Sequence, residues 1–226
     1  MFNIFGFYKF KKLNNLKKLK NRLENNLKDY EIRGTIIISP EGVNGTISDK
    51  KNNLLKFNKL LKKILSIKKF NSENVSNSKF NPFHKLKIKI KKEVVPMGFK
   101  VRNYNYPKNN LNPREWNKII KKKDTVLIDA RKSFEYDVGT FKKSLNPNVE
   151  NFRQFPKYLN RFKKTENIAM FCTGGIRCEK ANIYLKKKGF KNVYVLKGGI
   201  INYLNNIDKK IVSGMVNVLF LIIEFQ

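Results

Sequence analysis

Residues 167–181, NIAMFCTGGIRCEKA, decide the fold of the second half of this 226-residue chain. The run NIAMF is almost wholly apolar, which is typical of a strand buried on both faces of a parallel sheet. Two glycines follow it, and residues 178–190 then have the composition of a helix that ends at Gly189. A buried strand that leads through a short glycine loop into a helix predicts an α/β domain.

Two further apolar runs flank this unit, TVLIDAR at 125–131 and NVYVLKGG at 192–199. Helical patterns separate the runs, so strands and helices alternate as they do around a parallel sheet. Asn112 is placed to cap the first helix, with Pro113 at its first position and Glu115 at its third. We expect an α/β domain with a parallel sheet over residues 112–208.

The first half of the chain alternates differently. Strand patterns at 2–10, 32–39, 42–48 and 84–95 surround two helix patterns, 13–27 and 54–65. This order predicts a split βαβ arrangement, an α+β sandwich of the ferredoxin or acylphosphatase-like kind, with both helices on one face of an antiparallel sheet. We expect it to occupy 1–92. Residues 93–111 carry Pro, Gly and Asn without a clear period and are predicted to be a linker.

The charge of the chain is strongly one-sided. It has 49 Lys and Arg against 17 Asp and Glu, a formal net charge of +32. A surface so positive attracts polyanions, and nucleic acid is the obvious class. The excess is mainly Lys, and Asn and Ile are also abundant, so a gene rich in A and T would inflate it without any nucleic-acid partner. Both explanations stay open on composition alone.

The other compositional signals exclude several classes of protein. Two cysteines and one His, His84, are too few for a disulfide scaffold or a protein-built metal site. The start of the chain lacks the order of charge and apolar residues of a signal peptide, and the apolar tail is too short to span a bilayer. We expect a cytoplasmic protein with no membrane association, no metal and no evident protein partner.

The two cysteines flank the glycine loop. Cys172 ends a predicted parallel strand, where open α/β sheets bind their ligands. Backbone N–H groups released by Gly174 and Gly175, the following helix N-terminus and the Arg177 guanidinium all favour an anion. The anion nearest to hand is the Cys172 thiolate, so we predict a nucleophile with a lowered pKa. The alternative is a buried structural cysteine.

The rest of the loop completes the candidate site. Thr173 and Ile176 lie between the cysteine, the glycines and the arginine, and we include them in the predicted active-site loop. Cys178 opens the helix. It is either a packing residue or a second, resolving thiol, because small thiols bury well.

A nucleophilic Cys, a loop rich in backbone donors, an Arg and a helix resemble the active-site segment of the rhodanese family. The stretch LIDARKSFEYDVGTFKKSLNP, 127–147, is similar to the rhodanese segment in which an Asp, an Arg, a Glu-Tyr pair and a Gly precede a turn. From that resemblance we expect Arg131 and Glu135 to form a structural ion pair.

A narrower resemblance covers residues 4–208. The segments IRGTIIISPEGVNGTIS, FHKLKIKIKKEVVPMG, NPREWN, FRQFP and AMFCTGGIRCEKA, in this order, resemble the bacterial tRNA uridine(34) hydroxylase family. The resemblance implies oxygen-dependent formation of 5-hydroxyuridine at the tRNA wobble position, with tRNA bound at its anticodon region. The essential thiol of the family falls on Cys172. Molecular oxygen would be the co-substrate, and no metal or flavin motif is evident.

Two other functions stay open at this point. A rhodanese-type sulfurtransferase would carry a persulfide on Cys172, and the loop chemistry suits it equally well. An inactive tRNA-binding remnant is the third. For RNA contacts we expect lysines of the first domain and the linker at phosphates. Tyr104, Tyr106 and Phe152 are candidates to stack on a base, although each also suits a core or linker position.

The last segment, 209–226, departs from the resemblance. A permitted A/T-rich back-translation of Met215–Gln226, read two bases later, spells Gly-Glu-Cys-Phe-Val-Phe-Asp, which is the segment that the resembling proteins carry here. We therefore expect 209–226 to be an aberrant tail, the product of a frameshift near Lys209 and Lys210.

Overall fold

The structure is a computed structural model that describes residues 1–28, 30–102, 104, 109–208, 212 and 216–217. The chain divides into two compact units. The first is Met1–Val94 and the second begins at Val95. The first unit therefore ends two residues beyond the predicted position of 92.

The first unit is one sheet covered by two helices. Its strands are β1 (Phe2–Phe10), β2 (Arg33–Ser39), β3 (Gly42–Asp49), β4 (Ser72–Ser78) and β5 (Leu86–Ile90), and its helices are α1 (Leu16–Leu27) and α2 (Lys51–Ile64). The sheet order is β4-β1-β3-β2-β5. Alternate strand residues such as Phe5, Phe7, Ile36 and Ile38 pack with Leu23 and Phe57 of the helices in one core, so the predicted α+β sandwich is confirmed.

The edges of this sheet differ from the prediction. The strand that completes the split βαβ order is β4, which pairs antiparallel with β1. The predicted closing strand, 84–95, shortens to β5 and lies parallel to β2, so the expectation of an antiparallel sheet is wrong for this pair. The sequence of β4, SENVSNS, is polar and largely exposed. An edge strand of this kind lacks the apolar alternation by which strands are recognised.

The second unit is built around a four-stranded parallel sheet. Its strands are β6 (Asn110–Leu111), β7 (Thr125–Asp129), β8 (Thr140–Phe141), β9 (Asn167–Phe171), β10 (Val193–Leu196) and β11 (Val216–Asn217). Its α-helices are α3 (Pro113–Ile120), α4 (Ser133–Val138), α5 (Phe155–Leu159), α6 (Ile176–Lys187) and α7 (Gly199–Asn206), with a 3-10 turn at Phe152–Gln154. The order β6-β10-β9-β7 is parallel throughout, as predicted, and β8 pairs with β11 apart from it.

Strand β9 shows why its sequence is apolar without alternation. Ile168 and Met170 pack into a core on one face of the sheet, with Leu159 and Leu185. Ala169 and Phe171 pack into a second core on the other face, with Trp116. A strand covered on both faces has no polar side to present.

The predicted cap of α3 is confirmed. The Asn112 Oδ1 atom accepts hydrogen bonds from the backbone N–H groups of Arg114 and Glu115, each at 3.0 Å. The Glu115 carboxylate accepts one from the Asn112 N–H at 2.8 Å, and Pro113 fills the first helical position.

The predicted linker is more structured than its composition indicates. Val94, Val95, Met97 and Val101 are buried, and Asn110–Leu111 form the edge strand beside β10. Tyr106 lies outside the described residues. Of the tail, the structure describes Val212, Val216 and Asn217, so the frameshift at Lys209 and Lys210 stays a prediction that the nucleotide sequence of the gene can check.

Candidate active site

The thiol loop joins the end of β9 to the start of α6. Cys172 follows the last strand residue directly, and the Gly175 N–H donates to its Sγ atom at 3.2 Å. Gly175 has a φ of 97°, a left-handed conformation that side chains disfavour, and so it allows this inward turn. Only 1% of Cys172 is exposed and none of Cys178. The loop therefore holds both sulfurs inside the domain.

The environment of Cys172 favours its thiolate. Burial by itself raises the pKa of this thiol. The Cys178 thiol, the Arg177 guanidinium and the N–H groups of Cys178 and Gly175 act in the opposite sense, and together they lower the pKa to about 6. At neutral pH the group is mostly ionised, as a nucleophile requires.

Cys178 has the opposite character. Burial, a hydrogen bond to Cys172, and the charges of Cys172 and Asp129 raise the pKa of the Cys178 thiol well above its ordinary value. The pair is therefore one thiolate and one thiol that donates to it. Cys178 also packs in the core with Met170 and Ala181, as the packing alternative requires, and the role of a resolving thiol stays a prediction.

Glu135 of α4 fixes the loop from outside. Its carboxylate accepts a hydrogen bond from the Thr173 hydroxyl at 2.6 Å and pairs with the Arg177 Nη1 atom at 3.3 Å. Burial raises the pKa of Glu135, but the Thr173 bond and the charge of Arg177 outweigh it and hold the pKa below its usual value. A carboxylate thus orients the arginine that supports the thiolate.

The prediction that Arg131 and Glu135 form an ion pair is wrong. Arg131 instead binds Asp129 through Nη2 and Oδ2 at 2.6 Å and through Nε and Oδ1 at 2.9 Å. The reason is that the strand end turns Asp129 back onto the residue two positions later, whereas α4 points Glu135 at the loop. Arg131 remains only a weaker, more distant influence on the pKa of Glu135.

The Asp129–Arg131 pair belongs to a buried network at the ends of β7 and β8. Thr140 donates to Asp129 Oδ2 at 2.9 Å and shares a 2.7 Å hydrogen bond with Ser144. The Arg131 guanidinium also donates to the Gly139 carbonyl and lies 5.5 Å from the centre of the Phe171 ring. This network holds the strand ends beside the thiol loop.

The first turn of α7 clamps the loop from the other side. The Ile200 N–H donates to the Cys172 carbonyl at 2.9 Å, and the Ile201 N–H to the Thr173 carbonyl at 3.3 Å. Gly199 has a φ of 70°, and a Cβ atom there would meet both carbonyl oxygens at 2.4 Å. Only glycine permits this approach, which explains the KGG sequence at the end of β10.

Comparisons with known proteins agree with the two-unit fold and with a rhodanese-like second unit. Residues 2–94 match the UPF0176 acylphosphatase-like domain, and residues 112–206 match the rhodanese-like domain. The chain is 64% identical over 210 residues to the tRNA uridine(34) hydroxylase of Pelagibacter ubique, covering 93% of this chain and 70% of that protein.

The chain belongs to the tRNA uridine(34) hydroxylase family. A second member, from Legionella pneumophila, is 41% identical over 91% of this chain and 82% of its own length. Among solved structures, a rhodanese-related protein of Thermoplasma volcanium is 22% identical, with a TM-score of 0.37 over 43% of this chain and 91% of that one.

For this family member, the described residues add two observations on ligands. They contain no group of three or more His, Cys, Asp or Glu that could hold a metal ion. None of their helices has the length and apolar character to cross a membrane. The site that they do form is a thiolate surrounded by backbone N–H donors and one guanidinium.

The second unit also carries a basic cleft that the sequence did not single out. It has a volume of about 760 Å³ and lies between the segment 98–102 and the outer side of α6. Its lining is Gly98, Phe99, Lys100, Arg102, Ile183, Lys186 and Lys187. The Lys187 ammonium lies 5.6 Å from the centre of the Phe99 ring, which in turn packs edge-on against Tyr184. Only folding brings these two segments together.

The aromatic residues expected to stack on RNA differ in their surroundings. Phe152 stacks on Phe155 at 4.9 Å between ring centres and packs on the core, which is the packing position foreseen as its alternative. Tyr104 is half-buried. Phe99, in the basic cleft, is a half-buried aromatic beside cations that the sequence reasoning missed.

Proposed function

We propose that this protein hydroxylates C5 of uridine 34 of tRNA, with molecular oxygen as co-substrate and the Cys172 thiolate as the essential group. The observation that carries the proposal is the Cys172 site itself, a buried thiolate with a pKa of about 6 inside a donor-rich loop. The relatives named tRNA uridine(34) hydroxylase supply the substrate class.

The thiolate gives uracil the reactivity that it lacks. Addition of the Cys172 sulfur to C6 breaks the C5–C6 double bond and makes C5 electron-rich, so that C5 can form a bond to oxygen. Arg177 and the loop N–H groups stabilise the thiolate before addition and receive it again when it leaves. Loss of the C5 proton and of the sulfur then restores the aromatic ring.

The wobble base must leave the anticodon stack to reach the sulfur. Cys172 is 1% exposed, so the loop must also open towards the base. Single-stranded RNA is ordinarily bound with splayed bases, and the anticodon loop is suited to this. For a protein that acts on tRNA we expect a cytoplasmic location.

The basic cleft is the RNA-backbone site that we assign in the second unit. Four of its lining side chains are cations and none is a carboxylate. Lys186 is about 15 Å from the start of α6 along the helix axis, by the rise per residue of an α-helix. A strand of RNA whose base enters the thiol loop can therefore place phosphates a few nucleotides away in the cleft. Lysines of the first unit add further phosphate contacts.

The test is nucleoside mass spectrometry of tRNA incubated with the purified protein. We expect 5-hydroxyuridine with the chain and oxygen, none without oxygen, and none with Cys172→Ser. Sulfur transfer is the competing function, because the same loop would stabilise a persulfide. Thiouridine or release of thiol-bound sulfur, with no 5-hydroxyuridine, would favour that function instead.

A further inference from the structure

We propose that Cys172 and Cys178 together supply the two electrons that the hydroxylation needs, closing to a disulfide in each cycle. This inference rests on the proposed function. Its starting observation is that the only two thiols of the chain are buried in contact, one hydrogen-bonded to the other.

The stoichiometry of the reaction creates the need. One atom of O2 enters uracil as the C5 hydroxyl, and the other leaves as water. Oxygen gains four electrons, of which conversion of the C5–H bond to C5–OH provides two. A dithiol that becomes a disulfide provides the other two, so uridine, O2 and two thiols give 5-hydroxyuridine, water and one disulfide.

The steps can be written with every atom accounted for. While Cys172 is bound at C6, C5 bonds to O2, and with one proton from solvent it becomes a C5 hydroperoxide. The Cys178 sulfur attacks the outer oxygen, the O–O bond breaks, and the products are a C5 hydroxyl and Cys178 sulfenic acid. Loss of the C5 proton expels the Cys172 thiolate. That thiolate attacks the sulfenic sulfur, forming the S–S bond and releasing hydroxide, which takes up a proton as water.

The positions of the two sulfurs suit these roles. Cys172 follows the strand end, where open α/β sheets bind their ligands, and Cys178 lies in the first turn of α6, in the same buried core. Since the two are hydrogen-bonded, an oxygen on a base carried by Cys172 forms within reach of Cys178. Gly174 and Gly175 give the intervening loop the freedom to bring the sulfurs to bonding distance.

The different ionisation of the two groups supports the order of events. Cys172 is the thiolate at neutral pH, so it adds to the base first. Cys178 keeps its proton and stays unreactive until a strong electrophile, the hydroperoxide, is placed against it. Full burial also shields Cys178 from oxidants in solution.

The proposal predicts a defined single turnover. The protein is reduced, freed of small thiols under nitrogen, mixed with tRNA and then exposed to oxygen. We expect at most one 5-hydroxyuridine per chain, with loss of both titratable thiols and of two hydrogens from the intact mass. Further product should form only after dithiothreitol is added to reduce the disulfide.

Cys178→Ala provides the matched variant. Without small thiols it should lose product formation, and dithiothreitol should restore part of it by attacking the hydroperoxide in place of Cys178. Circular dichroism and tRNA affinity establish that the variant folds. In the wild-type protein, oxidation by diamide should give the same disulfide, identified by peptide mass.

Each other result has one meaning. Product formed by the wild type with two thiols still titratable overturns the dithiol proposal and leaves the hydroxylase intact. Equal product from Cys178→Ala without added thiol does the same. Absence of 5-hydroxyuridine from folded wild type even with dithiothreitol overturns the proposed function, and the dithiol role falls with it.

Discussion

The state of Cys172 depends on individual neighbours, first on Cys178 and then on Arg177. Burial opposes ionisation of this thiol, and the hydrogen bond from the Cys178 thiol, the charge of Arg177 and the N–H groups of Cys178 and Gly175 overcome it. Glu135 holds the guanidinium in place. The reactive state is therefore the outcome of opposing effects, so the loss of one favourable neighbour should be measurable.

We expect Arg177→Gln to raise the pKa of Cys172 from about 6 towards the ordinary thiol value. The thiolate is lost as pH falls through this pKa, so the acid limb of activity should move to higher pH in the variant. The ultraviolet absorbance of the thiolate, titrated against pH, measures it without requiring reagent access. Arg114→Gln, at an exposed position of α3, is the control, and an unchanged titration in Arg177→Gln would contradict the role assigned to the arginine.

Asp129→Asn tests the buried network. The Arg131 guanidinium would keep its charge without its partner, and breaking a buried pair in this way costs about 3–5 kcal/mol of unfolding free energy. Trp116 is the only tryptophan and is buried in the second unit, so its fluorescence during denaturation follows that unit. Asp137→Asn, at an exposed position of α4, should change little. Similar midpoints for the two variants would refute the assignment.

At the scale of elements, the pattern of apolar residues predicted the buried helices and strands and missed the exposed ones. Strand β9 and helix α6 pack in the core, so their apolar residues mark them in the sequence. Strand β4 is a polar edge, and α4 has only six residues and no buried position. Neither presents an apolar face, so their sequences resemble loops.

In the candidate site too, one part could be predicted from the sequence and another could not. Cys172, Arg177 and Cys178 lie within one short segment, and local spacing was enough to place them together. The contacts of Glu135 with Thr173 and Arg177 join positions about forty residues apart, at separations of 38 and 42. Such contacts depend on the direction of α4, which the sequence does not reveal, and this is why the partner of Arg131 was predicted wrongly.

Gly199→Ala tests the clamp on the thiol loop. A methyl group would strike the carbonyl oxygens of Cys172 and Thr173, so we expect the loop to shift, the pKa of Cys172 to rise and hydroxylation to fall. Gly189→Ala is a matched control, since its φ of 87° is also left-handed and the atom nearest to the added carbon lies 3.7 Å away, an ordinary contact. That control should cost only the backbone penalty of about 1–2 kcal/mol. Equal losses of activity in both would discount the clamp.

At the scale of the whole molecule, the net charge of +32 attracts any polyanion. The cleft beside α6 offers a defined site at which a polyanion can bind. Attraction spread over a surface and binding at a defined site respond differently to mutation. The two are distinguished by removing the same number of positive charges from the cleft in one variant and from another part of the surface in a second variant.

The combined change Lys100→Gln, Arg102→Gln and Lys187→Gln should weaken tRNA binding and make its salt dependence shallower. Three lost phosphate contacts reduce the slope of log K against log salt by about 2 for single-stranded RNA. The control, Lys121→Gln, Lys122→Gln and Lys123→Gln, removes equal charge from an exposed turn. Equal slopes in the two variants, measured by filter binding over a salt series, would show that the cleft is no special site.

A buried hydrogen bond of 2.8 Å from the Lys180 ammonium to the Val95 carbonyl connects the helix of the thiol site with the segment that leads into the basic cleft. Lys180 lies on α6 two residues after Cys178, and Val95 begins the segment that forms one wall of the basic cleft. Breaking a buried hydrogen bond of a charged group is costly, so we expect the cleft wall and α6 to move together. RNA bound at the wall would then displace the helix whose first turn holds Cys178, and with it the loop that holds Cys172. The buried sulfur would be uncovered only when its substrate is already bound.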